Sequence, residues 1–208
     1  MGRPSVSAER RRQVLEAAIR SLAANGLAGT SLDRIAEEAG MARGHIRHFA
    51  GNRDDILTAA AVLFYFGEVP DLDTNGPVIS NAASFLPEKA GTIAEALDYL
   101  FGDFAEPDAE NTVALALVDA ARTNPRIHAI VLRAYTGSQN ELAALLAQAC
   151  PEAAPAACRN VAYGILTIAL GNVFMADIEV SSQRTAVARQ SAELLVATLS
   201  ETLSPRAG

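Results

Sequence analysis

Two arginines, two histidines and a glycine fall within six residues, Arg43-Gly44-His45-Ile46-Arg47-His48. Guanidinium and imidazole groups donate hydrogen bonds to base edges and phosphates, and a bare glycine lets a backbone come close. At 100° per residue, Arg47 and His48 lie around Gly44 on one side of a helix over Ala42–Phe49, His45 and Arg43 flank them, and Ile46, Phe49 and Ala50 lie on the other side. Such a helix packs by its apolar side and offers the basic side to a polyanion. Metal binding is the rival chemistry, since Asp54 and Asp55 follow closely. The two histidines, three residues apart, lie on a face already explained, so no metal is expected. The sequence has no Gly-rich phosphate loop, no HExxH and no Ser/His/Asp set outside this region, so neither an enzyme nor a cofactor is expected.

Two helices must hold this one. Ser7 and Glu9 open the first, whose apolar face is Val14, Leu15, Ala18, Ile19 and Leu22, and Asn25-Gly26 closes it. Thr30 is read as the cap of the second, with Asp33 three residues on, and Leu32, Ile35, Ala36 and Ala39 as its buried stripe. Gly40 ends it. Charge follows the same division. Residues 1–53 hold nine arginines against five acids, net +4, and residues 54–208 hold eight basic and nineteen acidic residues, net −11. A basic head on an acidic body suits local contact with nucleic acid.

Residues 8–57 resemble the DNA-binding domain of the tetracycline-repressor (TetR) family. "TSLDRIAEEAGMARGHIRHF" is similar to the family's two-helix reading unit, and "NRDDIL" to the start of its fourth helix. The resemblance implies that Thr30 and Ser31 touch phosphates, that Arg43, Gly44, His45 and Arg47 face bases or nearby backbone, and that His48 and Arg53 hold phosphates. Arg3 is a candidate minor-groove arm. The chain departs from the family pattern at Ala42 (usually Ser), Arg47 (often Tyr), Ala50 (often Phe) and Arg53 (often Lys). Phe49 is expected to replace the lost aromatic packing. The change at Arg47 means that no known operator sequence transfers to this chain.

The expected architecture is all-α, about nine helices: a three-helix helix-turn-helix domain over 1–53 and a helical ligand-binding and dimerisation domain over 54–208. A fourth helix, 55–66, is apolar all round. Residues 67–91 read as a long loop with at most a short helix at Val78–Phe85. Helices follow at Thr92–Phe104, Glu110–Arg122, Asn124-Pro125 to Gln148, Ala156–Asp177 and Arg184–Leu203. "VDAARTNP" resembles a family segment in which an acid pairs with a nearby arginine, which makes Asp119 structural. Gly164 and Gly171 offer a strip for close helix approach, and Val187, Ser191, Leu194, Leu195, Thr198 and Leu199 a stripe on the last helix. These two helices are expected to make a homodimer, so that two heads meet a palindromic double-stranded operator.

Phe64, Leu100, Phe104, Leu117, Tyr135 and Phe174 are the expected lining of a cavity for an apolar or amphipathic effector, whose binding would release the DNA. Two alternatives remain open: an enzyme or carrier with a repressor-like head, and a DNA-binding protein without an inducer. Cys150 and Cys158 read as free thiols. No apolar run reaches the ~18 residues of a membrane span and no signal core follows the N-terminus, so a cytoplasmic protein is expected.

Overall fold

The computed structural model describes residues 6–70, 86–87 and 90–201. The expected short helix at Val78–Phe85 and the Arg3 arm lie outside them. The described residues form nine α-helices: α1 (Val6–Gly29), α2 (Leu32–Ala39), α3 (Arg43–Ala50), α4 (Arg53–Phe66), α5 (Ile93–Leu100), α6 (Ala109–Ala121), α7 (Pro125–Ala149), α8 (Pro155–Ile178) and α9 (Ser182–Glu201). A 3-10 turn at Asp103–Ala105 follows α5. Gly102 separates the two, where the sequence predicts one helix to Phe104.

The helices group into two compact units. The first combines α1–α4 with α6 and α7 as far as Ala134. Its axis is α1, against which α2, α3, α4 and α6 pack. Val14, Leu15, Ala18, Ile35, Ile46 and Ile56 fill the centre, each fully buried. Gly26, at φ 64°, kinks the end of α1 where Asn25-Gly26 predicts a stop. The α2 stripe Leu32, Ile35, Ala36 and Ala39 is buried as its spacing requires. Gly40 ends α2 in the left-handed region, and Met41 N donates to Ala36 O across the turn at 3.0 Å. α4 is buried continuously from Ile56 to Leu63, as an all-round apolar helix must be.

The second unit holds α5, the 3-10 turn, the rest of α7, α8 and α9. Leu97, Leu100, Leu142, Leu146, Ile165 and Leu199 belong to its core. α8 and α9 approach closely at Gly164, where a Cβ would meet Leu195 Cδ1 at 2.8 Å. Gly164 therefore serves contact within the chain, whereas Gly171 is open. Arg189 of α9 bridges Asp98 of α5 at 2.6 Å and Glu193 at 3.0 Å. The Glu193 hydrogen bond, then that of Asp98, raises the guanidinium pKa above its ordinary value.

α8 corrects one reading of the sequence. Although Asn, Gly and Thr interrupt its apolar run, it is long and apolar enough to cross a membrane by length and composition, and a third of its apolar window is buried within the chain. A core helix of a soluble protein passes the same test, so the helix does not decide location.

Two glycines make opposite predictions. Gly51 sits at φ 83°, and a Cβ there would meet Asp55 Oδ2 at 2.7 Å. Gly51→Ala should therefore destabilise the fold by more than ~1 kcal/mol in urea melts. Gly44 lies inside α3 with nothing within 4 Å of a built Cβ. Gly44→Ala should raise stability by roughly 0.5–1 kcal/mol in the same melts, because alanine is the better helix former.

Candidate nucleic-acid interface

α2 and α3 form the helix-turn-helix, and α3 has the two faces its sequence implies. Ile46 and Ala50 are buried; Arg43, Gly44, His45, Arg47 and His48 are all exposed. Four donors and one bare backbone position thus stand together on one helix face. Arg43 Nη1 contacts both carboxylate oxygens of Asp33 at 3.0 and 3.2 Å. That pair is solvent-exposed and worth little, so a phosphate can displace the aspartate. The His48 ring stacks edge-on against Phe49, with centroids 5.0 Å apart. Phe49 itself is only half-buried and stands outside the first unit's core. The inward packing expected of it therefore falls mainly to Ile46 and Ala50.

One of the expected phosphate contacts, Thr30, is corrected, and a second residue, Arg53, has partners within the protein. The cap of α2 is Ser31, whose Oγ accepts from Arg34 N at 3.2 Å, and Ser31 stays exposed at the helix start. Thr30 is 1% exposed, and its hydroxyl donates to Gly26 O at 2.8 Å while accepting from Ser21 Oγ at 3.2 Å. It is an internal brace with no free face for a phosphate. Arg53 is half-buried and bonded within the protein. Its Nε donates to Thr30 O and its Nη2 to Leu27 O, both at 2.7 Å. Its guanidinium closes the carbonyl end of α1.

Other side chains share this task. Arg11 Nε donates to Phe49 O at 3.1 Å, in the last turn of α3. Gln13 Nε2 donates to Ala39 O at 2.8 Å and Arg20 Nη2 to Glu38 O at 3.3 Å, both in the last turn of α2. Last-turn carbonyls lack intrahelical partners, and cationic donors suit the negative end of the helix dipole. The sequence shows these residues only as basic or polar positions on α1, with no signal for their targets.

A missed contact involves Asp55. Its carboxylate accepts from Asn52 N at 3.1 Å, completing the capping box of α4, and from Arg126 Nη2 of α7 at 3.0 Å. Asn124 caps α7 through Arg126 N at 3.0 Å. Asp119, expected to pair with an arginine, is exposed and has no ion pair among the described residues. The acid that does pair with an arginine here is Asp55, from a distant turn.

The six expected effector-lining residues divide between the units. Phe64 (half-buried) and Leu117 (buried) belong to the first; Leu100 (buried), Phe104 and Tyr135 (both half-buried) and Phe174 belong to the second. Phe174 is 51% exposed, on one outward stripe with Tyr163 and Ile178, so it is corrected as a lining residue of an interior cavity. Within the first unit a groove of about 400 Å³ lies between the α1 turn, the start of α4 and the α6–α7 turn. Arg53, Asp54, Thr123, Asn124 and Arg126 line it beside Leu27 and Leu57, so it differs from the apolar cavity expected.

Solved structures share this fold. A TetR transcription regulator from Haloarcula marismortui superposes with a TM-score of 0.67 at 16% identity, covering 92% of this chain and 98% of that one. A transcriptional regulator from Saccharomonospora viridis, solved with choline, gives 0.65 at 19%, covering 91% and 96%. The multidrug binding protein EbrR, complexed with proflavin, gives 0.55 at 22%, covering 89% and 99%. No curated protein matches the sequence. An all-helical chain whose α2 and α3 form this reading unit is a DNA-binding transcriptional regulator by class. Its residues 14–65 match the model of the bacterial regulatory proteins of the tetR family, so this DNA-binding segment is of that family's kind.

The two arginine environments predict a contrast in stability. Arg53→Ala should lower stability by about 1–3 kcal/mol, because it removes a charged donor from two carbonyls. Arg47→Ala, on the exposed face, should stay within ~0.5 kcal/mol of the parent. Thermal melts of the two variants without DNA test this, and equal melting temperatures would contradict the role given to Arg53.

Proposed function

We propose that this protein is a homodimeric, cytoplasmic repressor that binds a palindromic operator through α3 and leaves it when a small molecule binds the body. The observation that carries the reading is the α3 face: Arg43, Gly44, His45, Arg47 and His48 exposed together over a buried Ile46. Ser31, at the exposed start of α2, adds a phosphate contact of the kind helix N-termini make. The functional division runs at residue 53, with DNA reading before it and sensing and assembly after it.

Assembly is supported by α8 and α9. Tyr163, Phe174 and Ile178 on α8 and Val187 and Leu194 on α9 are each more than half exposed. Large apolar side chains in such number mark an interface. Two copies joined there would present two reading heads to half-sites related by two-fold symmetry. Sensing is supported by analogy with the relatives solved with choline and with proflavin. Here the effector is assigned to the second unit, near Leu100, Phe104 and Tyr135.

Selection of bound sequences from random duplex DNA tests the function and gives the operator. An inverted repeat is expected; recovery of no sequence preference would overturn the reading. On that operator Arg47→Ala should lose about 1–3 kcal/mol of binding and relax preference at one base pair per half-site. Gly44→Ala should bind more weakly despite its higher stability, because its methyl meets the DNA backbone or a base. Light scattering of the parent at micromolar concentration should give twice the chain mass, and Phe174→Glu should return it to the monomer mass. A parent monomer would remove the interface.

A further inference from the structure

We infer that Asn172 of α8 is the polar recognition group for the effector, and that the effector is a neutral, largely apolar molecule carrying a hydrogen-bond acceptor such as a carbonyl or ether oxygen. This rests on the sensor reading above and adds the ligand's chemical class. Asn172 is 9% exposed, and its Nδ2 is buried without a hydrogen-bond partner. Buried polar groups are almost always paired, so an orphaned amide donor points to a partner that comes and goes.

The helix shows which partner is excluded. α8 buries Cys158, Val161, Ala162, Ile165, Leu166, Ala169, Asn172 and Val173 on one side. Its exposed stripe runs through Tyr163, Gly171, Phe174 and Ile178 on the other. Nine residues separate Tyr163 from Asn172, and at 100° per residue they project in opposite directions. A second copy of the chain docking on the exposed stripe therefore leaves the Asn172 amide unsatisfied. The partner must enter from the inner side of α8.

The buried side of α8 sets the ligand's character. Every other residue on it is apolar or a thiol, so the ligand must bury apolar surface. No buried side chain described in the second unit is charged, and the only other buried polar one is Ser138. A charged ligand would be left without a counter-ion there, at a large desolvation cost. One donor in an apolar wall selects for one acceptor, and rejects isosteres that lack it more sharply than an apolar wall alone can.

The test compares the full-length parent with Asn172→Leu, and with Asn172→Val as a second apolar replacement of different shape. Without ligand, both replacements should melt at or above the parent temperature, because they remove an unsatisfied donor. A lower melting temperature for both would mean that a buried water or the fold itself satisfies the amide, and would overturn the inference. Ethylbenzene and acetophenone, which share a skeleton and differ by one carbonyl oxygen, serve as the probe pair in calorimetric titrations. The ratio of their dissociation constants should shift by roughly tenfold in favour of ethylbenzene on Asn172→Leu. An unchanged ratio, or no binding of either probe to the parent, would overturn it. Operator binding is measured alongside on the same proteins and should be unchanged by Asn172→Leu. Its failure in the parent would strike the regulator reading, whereas an unmoved probe ratio with intact operator binding strikes only the role of Asn172.

Discussion

The reading head depends on how the carbonyl ends of its short helices are closed. α2 and α3 have eight residues each, so most of their last-turn carbonyls have no partner within the helix. Arg11, Gln13 and Arg20 reach those carbonyls from α1, and Arg53 reaches back from α4 to the end of α1. Each is a long side chain crossing from one helix to another. Apolar packing alone would let the short helices slide, since Ile35 and Ile46 fix depth better than direction. The directed bonds fix orientation, and orientation decides whether the α3 donors stand together on one exposed face.

This explains where the sequence was legible. Period-3.6 apolar spacing found α1, α2 and α3, and the glycines at 26 and 40 marked their ends, because both signals are local. The two faces of α3 followed from the same periodicity. Function was harder to read from charge. The nine arginines before residue 54 suggest a polyanion surface, yet Arg11, Arg20 and Arg53 are bonded within the protein. An arginine that closes a helix and one that meets a phosphate are the same letter. Only the fold brings Arg53 to Thr30 O, 23 residues away in the chain. Thr30 and Ser31 show the same limit at closer range: either hydroxyl suits a cap, and one residue of register decides which is buried. Asp119 was misread because a local motif offered it a partner, whereas Arg126 found Asp55, 71 residues earlier.

Asp55 and Asn172 contrast in how the chain treats a polar side chain. Asp55 is fully employed: it caps α4, holds Arg126 and fills the space that a Cβ on Gly51 would occupy. Its neighbourhood tolerates little change, and the pairing ties the first turn of α4 to the first turn of α7 inside one compact unit. Asn172 is the opposite case, a group whose donor the chain leaves open. Rigid polar contacts thus lie beside the head and an unfilled one in the second unit, which suits a molecule that must hold its reading surface still and answer to something small.

The closure of α2 and α3 from α1 also sets where this chain can be cut. A fragment spanning residues 14–65, the segment that carries the family match, begins one residue after Gln13. It would keep every side chain of the reading face and lose Arg11 and Gln13, the donors that hold the ends of α3 and α2. It would also lose α6, which packs along α1. The boundaries of recognisable ancestry and of mechanical integrity do not coincide here, and a head transplanted by the first would arrive without its fastenings.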